Sequence, residues 1–194
     1  MESQSRASRC LTALLLAGGE SRRMGRDKAT LKMDGGWLWE RQLGLLRHLE
    51  PEALWVSARA VPEWCPPGVE VVLDAAPSSG PLSGISAAMK RLRTTHLLVL
   101  AVDLPQMTAA HLRELWGATQ AGAGVVPAHG DHVEPLCAVY PRESAVFFQE
   151  ALTARRPAMQ EVVRDLVKRK LVLPRNLDES ETVLYRNVNT PEDL

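Results

Sequence analysis

The chain holds no stretch of about twenty consecutive apolar residues, so no segment of it is built to span a bilayer. It carries no surplus of charge either: 23 Lys and Arg stand against 23 Asp and Glu. That balance argues against wholesale binding to nucleic acid or to a membrane surface. Cysteine is scarce. Cys10, Cys65 and Cys137 are an odd number with no C-x-x-C spacing, which suits reduced thiols of minor structural weight in a cytoplasmic protein. There is no internal repeat, low-complexity tract or interdomain linker. No Ser/His/Asp arrangement is legible, and no carboxylate pair suits glycoside chemistry. The P-loop pattern G-x-x-x-x-G-K-[ST] is absent. Arg6 and Arg9, followed by the apolar residues 11–17, imitate the start of a signal peptide. The run is short, lacks a small-x-small cleavage site and flows into a glycine pair. It reads as the first buried strand, preceded by a flexible tail over residues 1–10.

What is present is an alternation. A chain of 194 residues with 45% apolar content suits one well-buried domain, here residues 11–194. Strands are expected at 11–16, 53–58, 69–73, 96–102, 124–128, 132–140, 171–173 and 183–185. Helices are expected at 37–49, at 81–93 (Leu82, Ile85, Met89 and Leu92 share one face), from Thr108 to about 120, at 143–155 and at 157–168. The pattern implies an α/β domain: a doubly wound, mainly parallel sheet with helices on both faces. No G-x-G-x-x-G follows the first strand, so the dinucleotide fingerprint is missing. In such sheets ligands bind beyond the carboxyl ends of strands. Gly18–Gly19, Asp74 and Asp103 each follow an expected strand, so all three can face one crevice.

Residues 14–28, LLLAGGESRRMGRDK, hold the densest chemistry. Two glycines let backbone amides approach a ligand bare. Arg22, Arg23, Arg26 and Lys28 follow closely, suited to a ligand with several phosphates. The plainer reading is a glycine-rich surface loop with solvated cations; the order strand, glycines, cations and closing lysine favours phosphate. Lys28 is expected to be solvent-accessible before ligand binds. Asp103 ends HLLVLAVD and is either a magnesium ligand beside phosphate or a turn cap. Asp74 follows VEVVL and precedes Gly80-Pro81-Leu82-Ser83-Gly84, where a helix N-terminus points partial positive charge; it is a pocket residue or a turn residue. Asn187 and Asn189 alternate with Val188, so both amides would share one face of an extended strand, ahead of Thr190 as a helix cap. His129 and His132 flank a polar turn and read as solvated.

These residues carry a resemblance. Leu16, Ala17, Gly18, Gly19, Ser21, Arg23, Met24, Gly25, Asp27 and Lys28 match L-A-G-G-x-S-x-R-M-G-x-D-K, and the chain resembles the nucleotidyltransferases of the MobA type, the molybdenum cofactor guanylyltransferases. Asp103-Leu104-Pro105, Asp74 with GPLSG, Glu134-Pro135-Leu136 and the final NVNTPEDL fit the same pattern through Leu194. The resemblance implies a Rossmann-like nucleotidyltransferase fold and transfer of GMP from GTP to molybdopterin, with release of pyrophosphate. It implies nucleotide binding by Leu16, Ala17, Gly18, Gly19, Arg23, Lys28, Asp74 and Asp103. Arg23, Lys28 and Asp103 would act in catalysis, with Mg²⁺ on Asp103. Asn187 or Asn189 would reach the metal or the acceptor, and Glu134 would lie near the acceptor site. A monomer is expected, with transient contact to molybdenum cofactor biosynthesis proteins or molybdoenzymes. Where the family often has an S-A-N segment, this chain reads Ser57-Ala58-Arg59, which leaves the base to Arg59 or to backbone. The related cytidylyltransferases commonly read L-A-A-G; Gly19 here favours guanine. The other alternative is a non-catalytic cofactor-binding maturation partner.

Overall fold

The computed structural model describes residues 9–18, 28–33, 35–74, 80–155 and 158–188. In chain order these form β1 (Leu11–Leu16), a hairpin of β2 (Lys32–Met33) and β3 (Gly36–Trp37), α1 (Leu38–Arg47), β4 (Ala53–Ala58), β5 (Glu70–Leu73), α2 (Pro81–Arg91), β6 (His96–Ala101), α3 (Ala109–Gly117), β7 (Gly124–His129), β8 (His132–Val133), β9 (Cys137–Pro141), α4 (Ala145–Thr153), α5 (Met159–Lys168) and β10 (Val172–Asn176). A 3-10 helix, Glu179–Tyr185, closes the described chain's last ordered turn.

The main sheet runs β10-β7-β9-β6-β1-β4-β5, with β8 paired to β7. β1 pairs parallel with both β4 and β6, and β5 continues parallel from β4. β9 alone among the long strands runs the other way, antiparallel to β6 and β7. The expected mainly parallel, two-faced sheet is therefore present. Burial explains the predominantly apolar strands. In β1, Leu14 and Leu16 pack towards α2, α4 and α5, while Leu11, Ala13 and Leu15 pack towards α1 and α3. β6 divides in the same way, Leu97 and Val99 against Leu98 and Leu100. With both faces covered, a period-two pattern is apolar almost throughout; the buried polar exceptions, Thr12 and His96, are hydrogen-bonded.

The chain winds outward from β1 through β4 to β5, then returns to the far side of β1 as β6. That reversal opens a crevice beyond the carboxyl ends of β1 and β6, where open α/β sheets bind ligands.

Three expectations are corrected. Residues 183–185 are not a strand but the end of the 3-10 helix. The Asp178 amide donates to Glu181 Oε2 at 2.8 Å, and this acid three residues on fixes a helical first turn. Residues 132–140 are two strands, because Glu134-Pro135-Leu136 interrupts them; Pro135 has no N–H for a ladder. Residues 9 and 10, expected within a flexible tail, are held in place. The Cys10 amide donates to Thr95 Oγ1 at 2.9 Å, and the Arg9 guanidinium donates to Thr119 Oγ1 at 2.8 Å and lies over Trp116; residues 1–8 lie outside the described residues. Among the described residues, no helix is long and apolar enough to cross a membrane.

Candidate active site

Four adjacent strands deliver the site. Across the carboxyl edge, Asp103 follows β6 and Gly18 follows β1, each two residues past the strand, while Arg59 and Asp74 directly follow β4 and β5. The edge is stitched by backbone. The amides of Ala17 and Gly18 both donate to the Ser57 carbonyl at 3.0 Å, Asp74 N–H donates to Ala58 at 3.0 Å, and Val102 N–H to Leu16 at 3.1 Å.

At the crevice mouth Lys28 Nζ lies 3.1 Å from Asp103 Oδ2, and each side chain is 23% exposed. Lys28 is thus less open than its glycine-rich setting suggested: a carboxylate already holds it. The 3-10 turn Lys28–Thr30 sets its direction, with Ala29 fully buried as the anchor beside it. The turn after β6 is held from α1. Gln42 Nε2 donates to the Leu104 carbonyl at 2.6 Å, and Arg41 Nε to Pro105 at 2.9 Å.

At the other end Asp74 forms a pair that the sequence did not announce. Ser57 Oγ donates to Asp74 Oδ1 at 2.8 Å. Two glycines crowd this pair. A Cβ on Gly18 would stand 3.2 Å from Asp74 Oδ2 and 3.4 Å from Ala58 Cα. A Cβ on Gly84, in the first turn of α2, would lie inside contact distance of Ser57 Oγ and 3.1 Å from Asp74 Oδ1. Gly84 must stay bare for α2 to close on β4 and β5, and a bare Gly18 leaves room for Asp74 where β1 meets them. Gly80 enters α2 with φ of 67°, a conformation that glycine adopts without strain, and Pro81 occupies the first helical position.

Gly19, Arg23 and Asn189 lie outside the described residues. Leu16 is buried at the end of β1, and Ala17 and Gly18 are half-buried. Asn187 is exposed, and it is its neighbour that touches the site: Val188 N–H donates to the Asp103 carbonyl at 2.9 Å. Arg59 is exposed. His129 and His132 are exposed, as expected, while burial pushes the Glu134 carboxyl up from its ordinary value. A separate group, His111, Glu114 and Glu181, gathers within 4.8 Å. The Arg175 guanidinium bridges both acids at 3.2 and 2.7 Å, so their charge is already answered. The three cysteines form no disulfide.

The crevice therefore offers a cation and a carboxylate at one side, bare backbone in the middle and a fixed aspartate with a helix N-terminus at the other. That order suits a nucleoside triphosphate laid across the strand ends.

Known proteins agree with this geometry. Residues 13–171 match the family model described as "MobA-like NTP transferase domain". The chain is 38% identical over 186 residues to the "Probable molybdenum cofactor guanylyltransferase" of Opitutus terrae, covering 94% of this chain and 92% of that protein. It is 34% identical over 185 residues to the "Molybdenum cofactor guanylyltransferase" of Pseudomonas fluorescens, covering 93% and 90%. The crystal structure of "Molybdopterin-guanine dinucleotide biosynthesis protein A" from Archaeoglobus fulgidus shares the fold, with a TM-score of 0.70 and 23% identity over 94% of each chain. With its family segment running from within β1 to the residue before β10, and relatives aligned along nearly its whole length, the chain belongs to the MobA-like NTP transferase family.

Proposed function

We propose that this protein transfers GMP from GTP to molybdopterin, forming a guanine dinucleotide and pyrophosphate, as a cytoplasmic enzyme. The observation that carries this reading is the Lys28–Asp103 pair at the crevice of a MobA-like chain. A phosphate oxygen of the acceptor attacks the α-phosphorus of GTP; one P–O bond forms, and the bond to pyrophosphate breaks. The attacking phosphate is already anionic at neutral pH, so no general base is required, which fits a crevice rim without a catalytic histidine among the described residues. The barrier lies in bringing anions together in line. Lys28 supplies a mobile positive charge for the triphosphate and the departing pyrophosphate, and Arg23 is assigned the same task. Gly18 lets the backbone approach the phosphates, and Asp74, held by Ser57, receives the nucleoside end.

The donors fit magnesium. Asp103 offers hard carboxylate oxygen, and among the described residues no group of three His, Cys, Asp or Glu side chains closes around it. Mg²⁺ commonly takes one or two protein carboxylates, leaving the remaining positions to phosphate oxygens and water. When bound, such an ion neutralises charge between the phosphates.

Thermal shifts with GTP, CTP, ATP and UTP in Mg²⁺ test the nucleotide. GTP at a hundred times its dissociation constant should add about 2.7 kcal/mol, and the other three less. Greater stabilisation by CTP would replace guanylyl with cytidylyl transfer. Absence of pyrophosphate release with GTP and molybdopterin would sink the enzymatic reading.

A further inference from the structure

The C-terminal segment reaches the crevice through a buried polar clasp that the proposed chemistry does not use. Tyr185 ends the 3-10 helix, is buried, and places its Oη 2.5 Å from His111 Nε2 on α3, with the two rings edge to face. His111 Nδ1 lies 3.3 Å from Glu181 Oε1. That carboxylate favours the proton on Nδ1, so Nε2 accepts from the Tyr185 hydroxyl. Cys137 at the start of β9 lies in the same buried cluster as Tyr185. Burial pushes the thiol up to about 12 and the phenol above its ordinary value, so both stay neutral.

Three residues later Val188, 2% exposed, donates its N–H to the Asp103 carbonyl. Tyr185 and Val188 are thus two anchors on one short span, fixed to α3 at one end and to the turn after β6 at the other. That turn has its next two carbonyls gripped from α1 by Gln42 and Arg41. The Asp103 carbonyl is the one held from the C-terminal side. Apolar burial of the Val188 side chain is non-directional. A hydroxyl aimed at one ring nitrogen has a direction, and it fixes where the span begins.

We infer that Tyr185, held by His111, is a positioning residue for Asp103: it sets the register of residues 186–188, and through the Val188 amide it fixes the backbone from which the Asp103 carboxylate projects. A Phe–Leu pair would fill the same space, and buried polar chains of this kind specify geometry more than they add stability. The inference rests on the reading of Asp103 as the metal-side carboxylate of a guanylyltransferase.

The test uses the full-length protein with Tyr185→Phe, His111→Leu and His111→Gln. Amide exchange at Val188 is followed by NMR without ligand, and guanylyl transfer is titrated with Mg²⁺. Tyr185→Phe should speed Val188 exchange about tenfold, since a local opening is made easier. It should lower kcat by roughly ten- to a hundredfold, as small misplacements do, and raise the Mg²⁺ concentration for half-maximal rate. GTP binding measured in EDTA should stay at the wild-type level. His111→Leu should match it, and His111→Gln, which keeps an acceptor for the hydroxyl, should recover most of both effects. Unchanged Val188 exchange, or an unchanged Mg²⁺ requirement in Tyr185→Phe, would overturn the inference. So would equal loss of GTP binding and kcat in step with thermal stability. A wild-type protein that makes no dinucleotide would instead overturn the functional reading, while the exchange result would still decide the link from Tyr185 to Val188.

Discussion

Lys28 Nζ and Asp103 Oδ2 stand 3.1 Å apart, 75 residues apart in the chain and each about three-quarters covered. Neither charge is idle before substrate arrives. A triphosphate entering the crevice must compete with Asp103 for Lys28, and a cation must compete with Lys28 for Asp103. The pair holds the two charges against each other until ligand separates them.

Asp103→Asn removes the charge but keeps the shape. GTP binding without metal should weaken little, since Gly18 and Lys28 remain. Turnover should collapse, and the residue of activity should need more Mg²⁺. If Asp103 were only a turn cap, Asn would replace it at little loss. Magnesium titrations of wild type and variant decide this: overlapping curves with similar maxima would remove the metal assignment.

Lys28→Ala should cost under about 1 kcal/mol of stability, the range of partly solvated ion pairs. Turnover should fall by roughly 10²–10³, as when one preorganised donor is lost. Steady-state kinetics beside a thermal melt reads both. Near-normal turnover would return the lysine to a surface role.

Gly84→Ala drives a methyl group into Ser57 Oγ. Buried overpacking of this kind costs about 1–3 kcal/mol. It should also part Ser57 from Asp74 and weaken GTP binding. Adding Ser57→Ala to Gly84→Ala removes the clashing oxygen. The double variant should regain stability and not GTP affinity, because Asp74 still lacks its partner. Joint recovery of both would show that the Ser57 hydroxyl does nothing for the nucleotide.

His96 is fully buried in β6, with Nε2 at 3.1 and 3.3 Å from the Gln120 and Ala123 carbonyls. Burial lowers its pKa; the two carbonyls and Glu143 oppose this, and Arg9 adds to it. His111 shifts the same way, again first through burial. The unfolded chain therefore takes up protons below its ordinary value of 6.5 while the folded chain does not. Stability should fall as pH drops below that value, until the folded histidines titrate too. Glu134, raised by burial from 4.5, acts with the opposite sign and favours the folded state as it gains its proton. Urea midpoints measured down from pH 7.5 should decline, and His96→Gln should flatten that decline. A wild-type midpoint constant across this range would refute the assignment.

The sequence made β1, β4 and β6 legible because burial on both faces leaves predominantly apolar runs. It made α2 legible because Leu82, Ile85 and Met89 repeat at helical spacing and all pack on one core. Gly18, Asp74 and Asp103 could be placed at one edge from strand ends alone. Ser57 could not. Its partner Asp74 is 17 residues away, and only the parallel pairing of β4 with β5 brings them together. Val188 gave no signal either, because it acts through its backbone N–H. Residues 183–185 misled because three apolar residues fit strand or helix equally, and the deciding feature, Glu181 on the Asp178 amide, lay upstream.

The place of β1 in the sheet has a consequence for how the protein is made. β1 occupies residues 11–16, yet it pairs with residues 53–57 on one side and 96–101 on the other. At synthesis rates of about 5–20 residues per second, roughly 5–20 s pass before the second partner emerges. Through that interval LTALLL, with Thr12 its single polar residue and without a completed ladder, is open to wrong pairing and to aggregation. Polar substitutions in this strand should thus be felt first as low yield from the ribosome, and chaperone supply should matter most while the chain is still shorter than β6 requires.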